Sequence, residues 1–422
     1  MYDIFQLKPF TFPQNFIFGS ATAGHQIEGD NIHSGLWRME QQWSKDDLFH
    51  CPSGKACNHY QMYREDIDLL SELEHQMFRL SVEWARIEPE EGHFDQKEAD
   101  HYIDELSCLK EKGIQVMVTV VHGTVPAWFD DKGGFKRENL SCFEKYLNYI
   151  IPQIAPYVDM WNVLNEYNMG LDMFDPTFFH ALGYHTIKKY SSKPVSTAHA
   201  MVMPYPKRYY DPFDRALAQY RDVCTNEFFF HAIRTGEVIA VGEKSEFNRD
   251  VKDTCDFWSI NFYTRSMVDA RKKGGNGTRF DHKYLRMIDM DFYLEEFYPE
   301  QAYHNLTRLS DKPVMISENG LSCDDDRFRI VFLAQYLSCI HEAMQAGVDV
   351  RGYLYWSFLD NYEWGSYLPR FGMVDVDFDT FRRTPKPSAY FYRDIIRANG
   401  FNQDILRRYL TEMPRLPEGA NK

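Results

Sequence analysis

The 422-residue chain lacks several signatures that would assign it to a class at once. Its eight cysteines (Cys51, Cys57, Cys108, Cys142, Cys224, Cys255, Cys323 and Cys339) include no Cys-x-x-Cys pair, which removes zinc-ribbon and thioredoxin-type chemistry. No His-x-His or His-Glu-x-x-His spacing offers itself to a metal. No Gly-x-Gly-x-x-Gly or Walker pattern follows an apolar run, so the usual phosphate cradle of a nucleotide-binding sheet is missing. Positive charge is scarce: Lys and Arg total 47 against 62 Asp and Glu, a formal balance of −15, and a nucleic-acid binder needs a basic footprint. No apolar run approaches the ~18 residues of a membrane span. The opening MYDIFQLKPFTFPQNF has no basic stretch leading into an apolar core, so no secretory signal is read and a reduced, cytoplasmic chain is expected. The glycosylation-type triplets at Asn139, Asn276 and Asn305 then carry no meaning.

Aromatic residues, in contrast, are plentiful, at 16% of the chain with 32 Phe, 27 Tyr and 8 Trp. Rings serve as core or as flat platforms for a ligand, and most of these are expected to be core. With 44% apolar and 26% charged residues, the composition is that of a globular protein rather than a disordered one. The length by itself allows two or three domains, although an α/β barrel can absorb it as one. No low-complexity linker divides the chain. The nearest candidate, Arg271 to Lys283, reads as an exposed loop.

Eight short, nearly continuous apolar runs recur: FIFGSA from Phe16, MFRLSVEW from Met77, VMVTVVH from Val116, MWNVLNE from Met160, PVSTAHAMVM from Pro194, FWSINFY from Phe257, PVMISE from Pro313 and GYLYWSF from Gly352. Strands buried on both faces have this character. Amphipathic segments alternate with them: 59–73, 99–112, 140–154, 178–190, 214–235, 299–309, 328–346 and 388–398. Gly113, Gly236 and Gly347 serve as stop signals, and the last segment is expected to stop near Gly400. Strict alternation of eight strand–helix units fits a parallel (β/α)8 barrel, with a doubly wound sheet as the alternative fold.

In such a barrel the active site gathers at the C-terminal ends of the strands. The polar residues that end the runs are Glu83, His122, Asn165, Glu166, Asn261, Tyr263, Glu318, Asn319 and Trp356. His25, Gln26 and Glu28 follow the first run, and Arg79 lies inside the second, where an ion needs a partner. Glu166 and Glu318 each end a long apolar run directly, and a charge there is costly without a role or a partner. Two carboxylates across a pocket suit glycosidic bond cleavage, with metal-assisted hydrolysis as the weaker alternative.

The same residues carry a resemblance. FIFGSATAGHQIEGD from Phe16, HYQMYREDIDLLSELEHQMFRLSVEWARIEP from His59, Asn-Glu at Asn165, NFY at Asn261, SENG at Ser317 and WSFLDNYEWGSYLPRFGMVDVDF from Trp356 occur in the order found in family 1 of the glycoside hydrolases, the retaining β-glucosidase type. The resemblance spans about Phe12 to Ile396. It implies one (β/α)8 catalytic domain over 1–422, with loops elaborated over the C-terminal face of the strands.

It also implies roles. Glu318 would be the nucleophile, Glu166 the acid/base, Tyr263 a hydrogen-bond donor to the nucleophile and Arg79 the cation that holds it ionised. Asn165 would bind the sugar 2-hydroxyl. Gln26, His122, Glu363 and Trp364 would bind the other hydroxyls, and Trp356 would form the floor. The nucleophile is expected to have a lowered pKa and the acid a raised one, with carboxyl groups ~5–5.5 Å apart. Glu363–Trp364 resembles the branch acting on unphosphorylated sugars.

The implied substrate is a small β-glycoside or oligosaccharide ending in glucose, with galactose and fucose as alternatives. No cofactor, metal, nucleic acid or membrane is implied, and a homo-oligomer is allowed. A transglycosidase, or a binding protein that has lost activity, are the competing readings. The chain departs from the family pattern at Val163 (usually Thr), at Tyr167 (usually Pro), at Gly123 (usually aromatic) and in a short 167–177 segment, changes that touch the acid/base neighbourhood and the leaving-group side.

Overall fold

The computed structural model describes residues 3–48, 50–170, 172–275 and 297–415. The eight apolar runs are the eight strands of a closed barrel: β1 (Ile17–Ala21), β2 (Met77–Ser81), β3 (Gln115–Val121), β4 (Met160–Asn165), β5 (Val195–Ala200), β6 (Trp258–Asn261), β7 (Val314–Asn319) and β8 (Val350–Trp356). Every neighbouring pair is parallel, and β8 pairs with β1 to close the ring. The barrel expected from the alternation is therefore the fold, and the doubly wound sheet is not.

The longer helices between and after the strands are α1 (His59–Glu72), α2 (Gln96–Glu111), α3 (Leu140–Ile154), α4 (Phe174–Tyr190), α5 (Pro212–Asp222), α6 (Phe228–Thr235), α7 (Glu300–Leu306), α8 (Asp326–Gln345) and α9 (Pro387–Ala398). Gly236 follows α6 with φ 82°, a left-handed C-cap that an L side chain resists. After α9 it is Asn399, not Gly400, that takes the left-handed position, and Gly400 pairs with Thr11 in a short ribbon. The single amphipathic segment expected over 214–235 is two helices joined by a π turn at Val223–Glu227. The extra residue in that turn turns Asn226 inward, where it bonds His199 Nε2 at 3.1 Å and donates to the Val202 carbonyl at 3.0 Å.

Side chains alternate in and out along the strands. Phe78 and Leu80 point outward into the large core between barrel and helices, while Met77 points into the barrel. Met77, Met117, Met315 and Leu354 fill the barrel interior together. Arg79, two residues beyond Met77 on the same face, therefore projects inward above that apolar plug. This geometry positions the site: an apolar barrel floor, with polar side chains at the top.

Of the Gly-rich 271–283 segment, the structure describes only the start, a short turn at Lys273–Gly275; the rest, with the Asn276 triplet, lies outside the described residues. Asn139 and Asn305 are buried. No helix among the described residues is long and apolar enough to cross a membrane.

Candidate active site

The strand register breaks where the polar residues begin. β6 shifts against β7 between Ile260 and Asn261, β7 against β8 between Ile316 and Asn319, and β4 against β5 between Asn162 and Asn165. Such irregularities re-aim side chains. On β4, Val163 and Leu164 both face the outer core, and Asn165 turns back toward Arg79.

Arg79 is fully buried and uses its whole guanidinium. Its Nε donates to Thr119 Oγ1 at 2.9 Å, Nη1 to Glu318 Oε1 at 2.5 Å, and Nη2 to Asn165 Oδ1 at 2.7 Å. The Tyr263 hydroxyl donates to the other Glu318 oxygen at 2.5 Å. Arginine can only donate, so its bond fixes the orientation of the Asn165 amide. Asn165 Nδ2 then faces His122 Nε2 at 3.0 Å, which makes that nitrogen the acceptor. Burial and Arg79 hold the His122 pKa well below the usual histidine value, so the ring is neutral and its proton sits on Nδ1. Nδ1 is buried and has no protein partner. Neither has Gln26 Oε1, whose amide Nε2 is tied to Asn361 Oδ1 at 3.1 Å and the Tyr362 carbonyl at 3.0 Å. One donor and one acceptor thus stand ready for hydroxyl groups.

The two carboxylates are unequal. Glu166 adopts a left-handed backbone, φ 50°, just past the end of β4. Its side chain takes one bond, from Asn261 Nδ2 at 2.9 Å. Burial first, and then the negative charge of Glu318, pushes its pKa up to about 7. For Glu318 the expected lowering does not occur. Burial raises its pKa, and Arg79, Tyr263 and Asn261 pull it back only in part. The pair remains asymmetric: a cation and a phenol are aimed at Glu318 and neither is bonded to Glu166, so a proton is held more readily on Glu166.

Trp356 is buried and its Nε1 donates to Glu363 Oε1 at 3.0 Å. Its ring lies 5.8 Å from that of His122, and the Trp364 ring lies 6.2 Å from His122 on a nearly parallel plane. All ten sequence-derived candidates (Gln26, Arg79, His122, Asn165, Glu166, Tyr263, Glu318, Trp356, Glu363 and Trp364) stand on strands, or on segments just beyond strand ends, at one mouth of the barrel. Asn261, which bridges Glu166 and Asn165, belongs with them, although it entered the sequence reading only as a strand-end residue. Thr119 carried no signal beyond its place three residues before His122.

The departures have structural reasons. A Cβ at Gly123, where φ is 78°, would stand 2.8 Å from Trp364 Cη2. The Trp364 ring occupies the space that an aromatic at position 123 would need. Gly123→Ala is expected to displace Trp364, raising KM for a glycoside several-fold with a smaller change in kcat; steady-state kinetics on an aryl glycoside would check this. Tyr167, in the place of Pro, bonds Thr177 at 3.2 Å and packs edge-on to Phe229. Val163 packs against Gly183, where a Cβ would fall 2.2 Å from Val163 Cγ1.

No cluster of three or more His, Cys, Asp or Glu able to hold a metal occurs among the described residues. What the mouth offers is paired carboxylate chemistry beside aromatic faces and hydroxyl partners, which in class makes the chain a barrel glycoside hydrolase. Its family comes from comparison. The sequence profile described as glycosyl hydrolase family 1 matches residues 8–209 and 177–401. The chain is 30% identical to β-glucosidase A of Acetivibrio thermocellus, over 94% of this chain and all of that one. It is 25% identical to a β-galactosidase of Sulfolobus acidocaldarius, over 96% and 98%. Among solved structures, the β-glycosidase from Pyrococcus horikoshii superposes with a TM-score of 0.85 at 34% identity, covering 95% of this chain and 98% of that one. The chain belongs to glycosyl hydrolase family 1.

Proposed function

We propose that the protein is a retaining β-glycosidase that releases an unphosphorylated terminal β-D-sugar, glucose first, by double displacement. The carrying observation is the asymmetry of the carboxylate pair: Arg79 and Tyr263 are on Glu318, and Glu166 has a pKa of about 7. In the first half-reaction the Glu318 carboxylate attacks the anomeric carbon. The bond to the leaving oxygen breaks, and that oxygen takes the Glu166 proton. Forming the glycosyl ester removes the Glu318 charge, which lowers the Glu166 pKa. Glu166 then accepts a proton from water, the water oxygen attacks the anomeric carbon, and Glu318 departs as carboxylate. Two inversions give net retention.

Asn165 is held by Arg79, Asn261 and His122, a rigid mount for a group that binds the sugar 2-hydroxyl. Gln26, His122, Glu363 and Trp364 take the remaining hydroxyls, over the Trp356 floor. A buried carboxylate at Glu363 would repel a sugar phosphate, which favours a neutral terminal sugar. The relatives named β-glucosidase and 1,4-β-D-glucan glucohydrolase support glucose, and those named β-galactosidase make galactose the alternative. We read the chain as one catalytic domain. Its eight cysteines, all among the described residues, form no disulfide, which suits a reducing, cytoplasmic setting.

A panel of aryl β-glucoside, β-galactoside, β-fucoside and β-6-phosphoglucoside tests the specificity. The glucoside should turn over with the highest kcat/KM; exclusive cleavage of the phosphorylated sugar would overturn the assignment.

The Glu166 shift has a stability consequence with a definite sign. Its folded pKa of about 7 exceeds the ordinary carboxyl value, so the folded chain holds a proton that the unfolded chain releases. That contribution is present at pH 4 and is lost as pH rises through about 7. Glu166→Gln is therefore expected to gain about 2–3 kcal/mol over the wild type at pH 8 relative to pH 4, measured by chemical unfolding at the two pH values.

A further inference from the structure

Glu40 ends a short helix, Gly35–Glu40, and is fully buried, yet the double displacement does not use it. A buried carboxylate has to be matched by donors. Its Oε1 accepts from His25 Nε2 at 2.9 Å, and Oε2 accepts from the Ser53 amide at 3.0 Å and the Ser53 hydroxyl at 2.5 Å. Burial pushes the Glu40 pKa up, but the bonds from His25 and Ser53 outweigh this and hold the carboxyl below its usual value. Glu40 is therefore an acceptor on both sides.

Each side leads to the sugar pocket. His25 precedes Gln26 on a single helical turn, Gly24–Ile27, and its ring lies parallel to that of Trp364 at 6.3 Å. Asn31 Nδ2 donates to Glu83 Oε2 at 2.8 Å and faces His25 Nδ1 at 3.2 Å, so Nδ1 is the acceptor and Nε2 carries the proton aimed at Glu40. On the other side, the Ser53 carbonyl accepts from the Tyr367 hydroxyl and the Cys51 carbonyl from the Tyr362 hydroxyl at 2.8 Å. These contacts bracket Glu363 and Trp364, which stand in a turn closed by mutual backbone bonds between Glu363 and Ser366. Trp364 has φ 46°, a conformation that an L side chain holds only when its surroundings impose it.

We propose that Glu40 is a positioning residue that fixes the Glu363–Trp364 turn against Gln26 and so sets which terminal sugar the pocket prefers. This rests on the glycosidase reading above, in which Gln26, Glu363 and Trp364 meet the sugar hydroxyls; Glu40 itself touches no reacting atom. Two epimers differ in the direction of one hydroxyl, so telling them apart requires partners on two separate segments to keep a fixed spacing. One carboxylate that accepts from both segments supplies that spacing. A neutral amide cannot, because one of its ends would turn hydrogens toward a donor.

The test compares Glu40→Gln with the wild type on aryl β-D-glucoside, β-D-galactoside and 2-deoxy-β-D-glucoside. The discrimination between glucoside and galactoside, whichever is preferred, should fall about tenfold in kcat/KM, mainly through a higher KM for the preferred sugar. The ratio of glucoside to 2-deoxyglucoside, which reads Asn165 on β4, should stay within about twofold. A merely structural role would lower the active fraction and move neither ratio. Glu40→Asp, which keeps both acceptor oxygens on a shorter stem, should recover part of the discrimination. Equal losses on all three substrates, or both ratios falling together, would overturn this inference and leave the glycosidase reading standing. Cleavage of none of the three by the wild type would overturn both. If Glu40→Gln fails to fold, Ser53→Ala, which removes one of the three donors, should weaken the same discrimination about two- to threefold, and an unchanged ratio would overturn the inference.

Discussion

Replacing Glu318 with glycine is expected to abolish ordinary hydrolysis of aryl β-glucosides, with kcat falling by about 10⁵-fold or more. Among the described residues no other carboxylate receives the same donors: Glu166 accepts from Asn261, and Glu363 is bonded to the Trp356 ring nitrogen. The variant removes the one group on which Arg79 and Tyr263 converge, so it also leaves the Arg79 charge buried without its carboxylate. A loss of stability therefore has to be measured alongside activity. Glu318→Gln, which keeps the shape and an acceptor oxygen for Arg79 while its amide N–H donates to the Tyr263 hydroxyl, separates the two effects: it should fold and still be inactive. Ordinary hydrolysis by either variant would remove Glu318 from the role of nucleophile.

The second large effect concerns Glu166. Glu166→Ala should lower kcat/KM by about 10²–10⁴-fold for alkyl glucosides, whose leaving oxygen needs the proton. For dinitrophenyl glucoside, whose leaving group departs unaided, the first step should change little, and turnover should stall at the glycosyl-enzyme instead. Azide then restores turnover, giving the β-glycosyl azide, because an anion needs no general base to attack. The pH profile adds an independent readout. In the wild type, kcat/KM should fall as pH rises through about 7, where the acid loses its proton. With the activated substrate, that alkaline limb should vanish in the alanine variant. An α-configured azide product, or an unchanged alkaline limb, would contradict the assignment.

How much of this was legible in the sequence differs from one element to the next. The eight strands could be read because they are buried largely on both faces and so are nearly continuous in apolar residues. The helix ends at Gly113, Gly236 and Gly347 could be read because only glycine takes the left-handed position cheaply. The break between α5 and α6 could not, because the amphipathic pattern runs through it. What interrupts the helix is the pull of Asn226 toward His199 and the Val202 carbonyl, a contact across 27 residues in the first case.

The site shows the same division. Strand-end logic found Glu166 and Glu318, because a carboxylate after an apolar run is rare enough to be noticed. It underrated Asn261, a neutral side chain that draws attention only once it is seen bridging Glu166 and Asn165. It also misjudged the Glu318 pKa. A cation and a phenol nearby predict a lowering; the depth of burial that outweighs them is a property of the assembled barrel mouth.

By itself, then, the sequence determined the barrel, the strand that carries each functional residue and the pair of carboxylates, because burial pattern and residue type are local properties. Tertiary structure decided the rest. The register shifts at Asn165, Asn261 and Asn319 aim side chains that strict alternation would misdirect. Arg79 orients Asn165, and Asn165 orients the His122 ring, a chain of directional bonds among three strands. The Trp364 ring closes over Gly123, so the residue missing from one loop is answered by a ring from another. Each of these depends on contact between segments far apart in the chain, and closing the ring of strands is what brings them within reach.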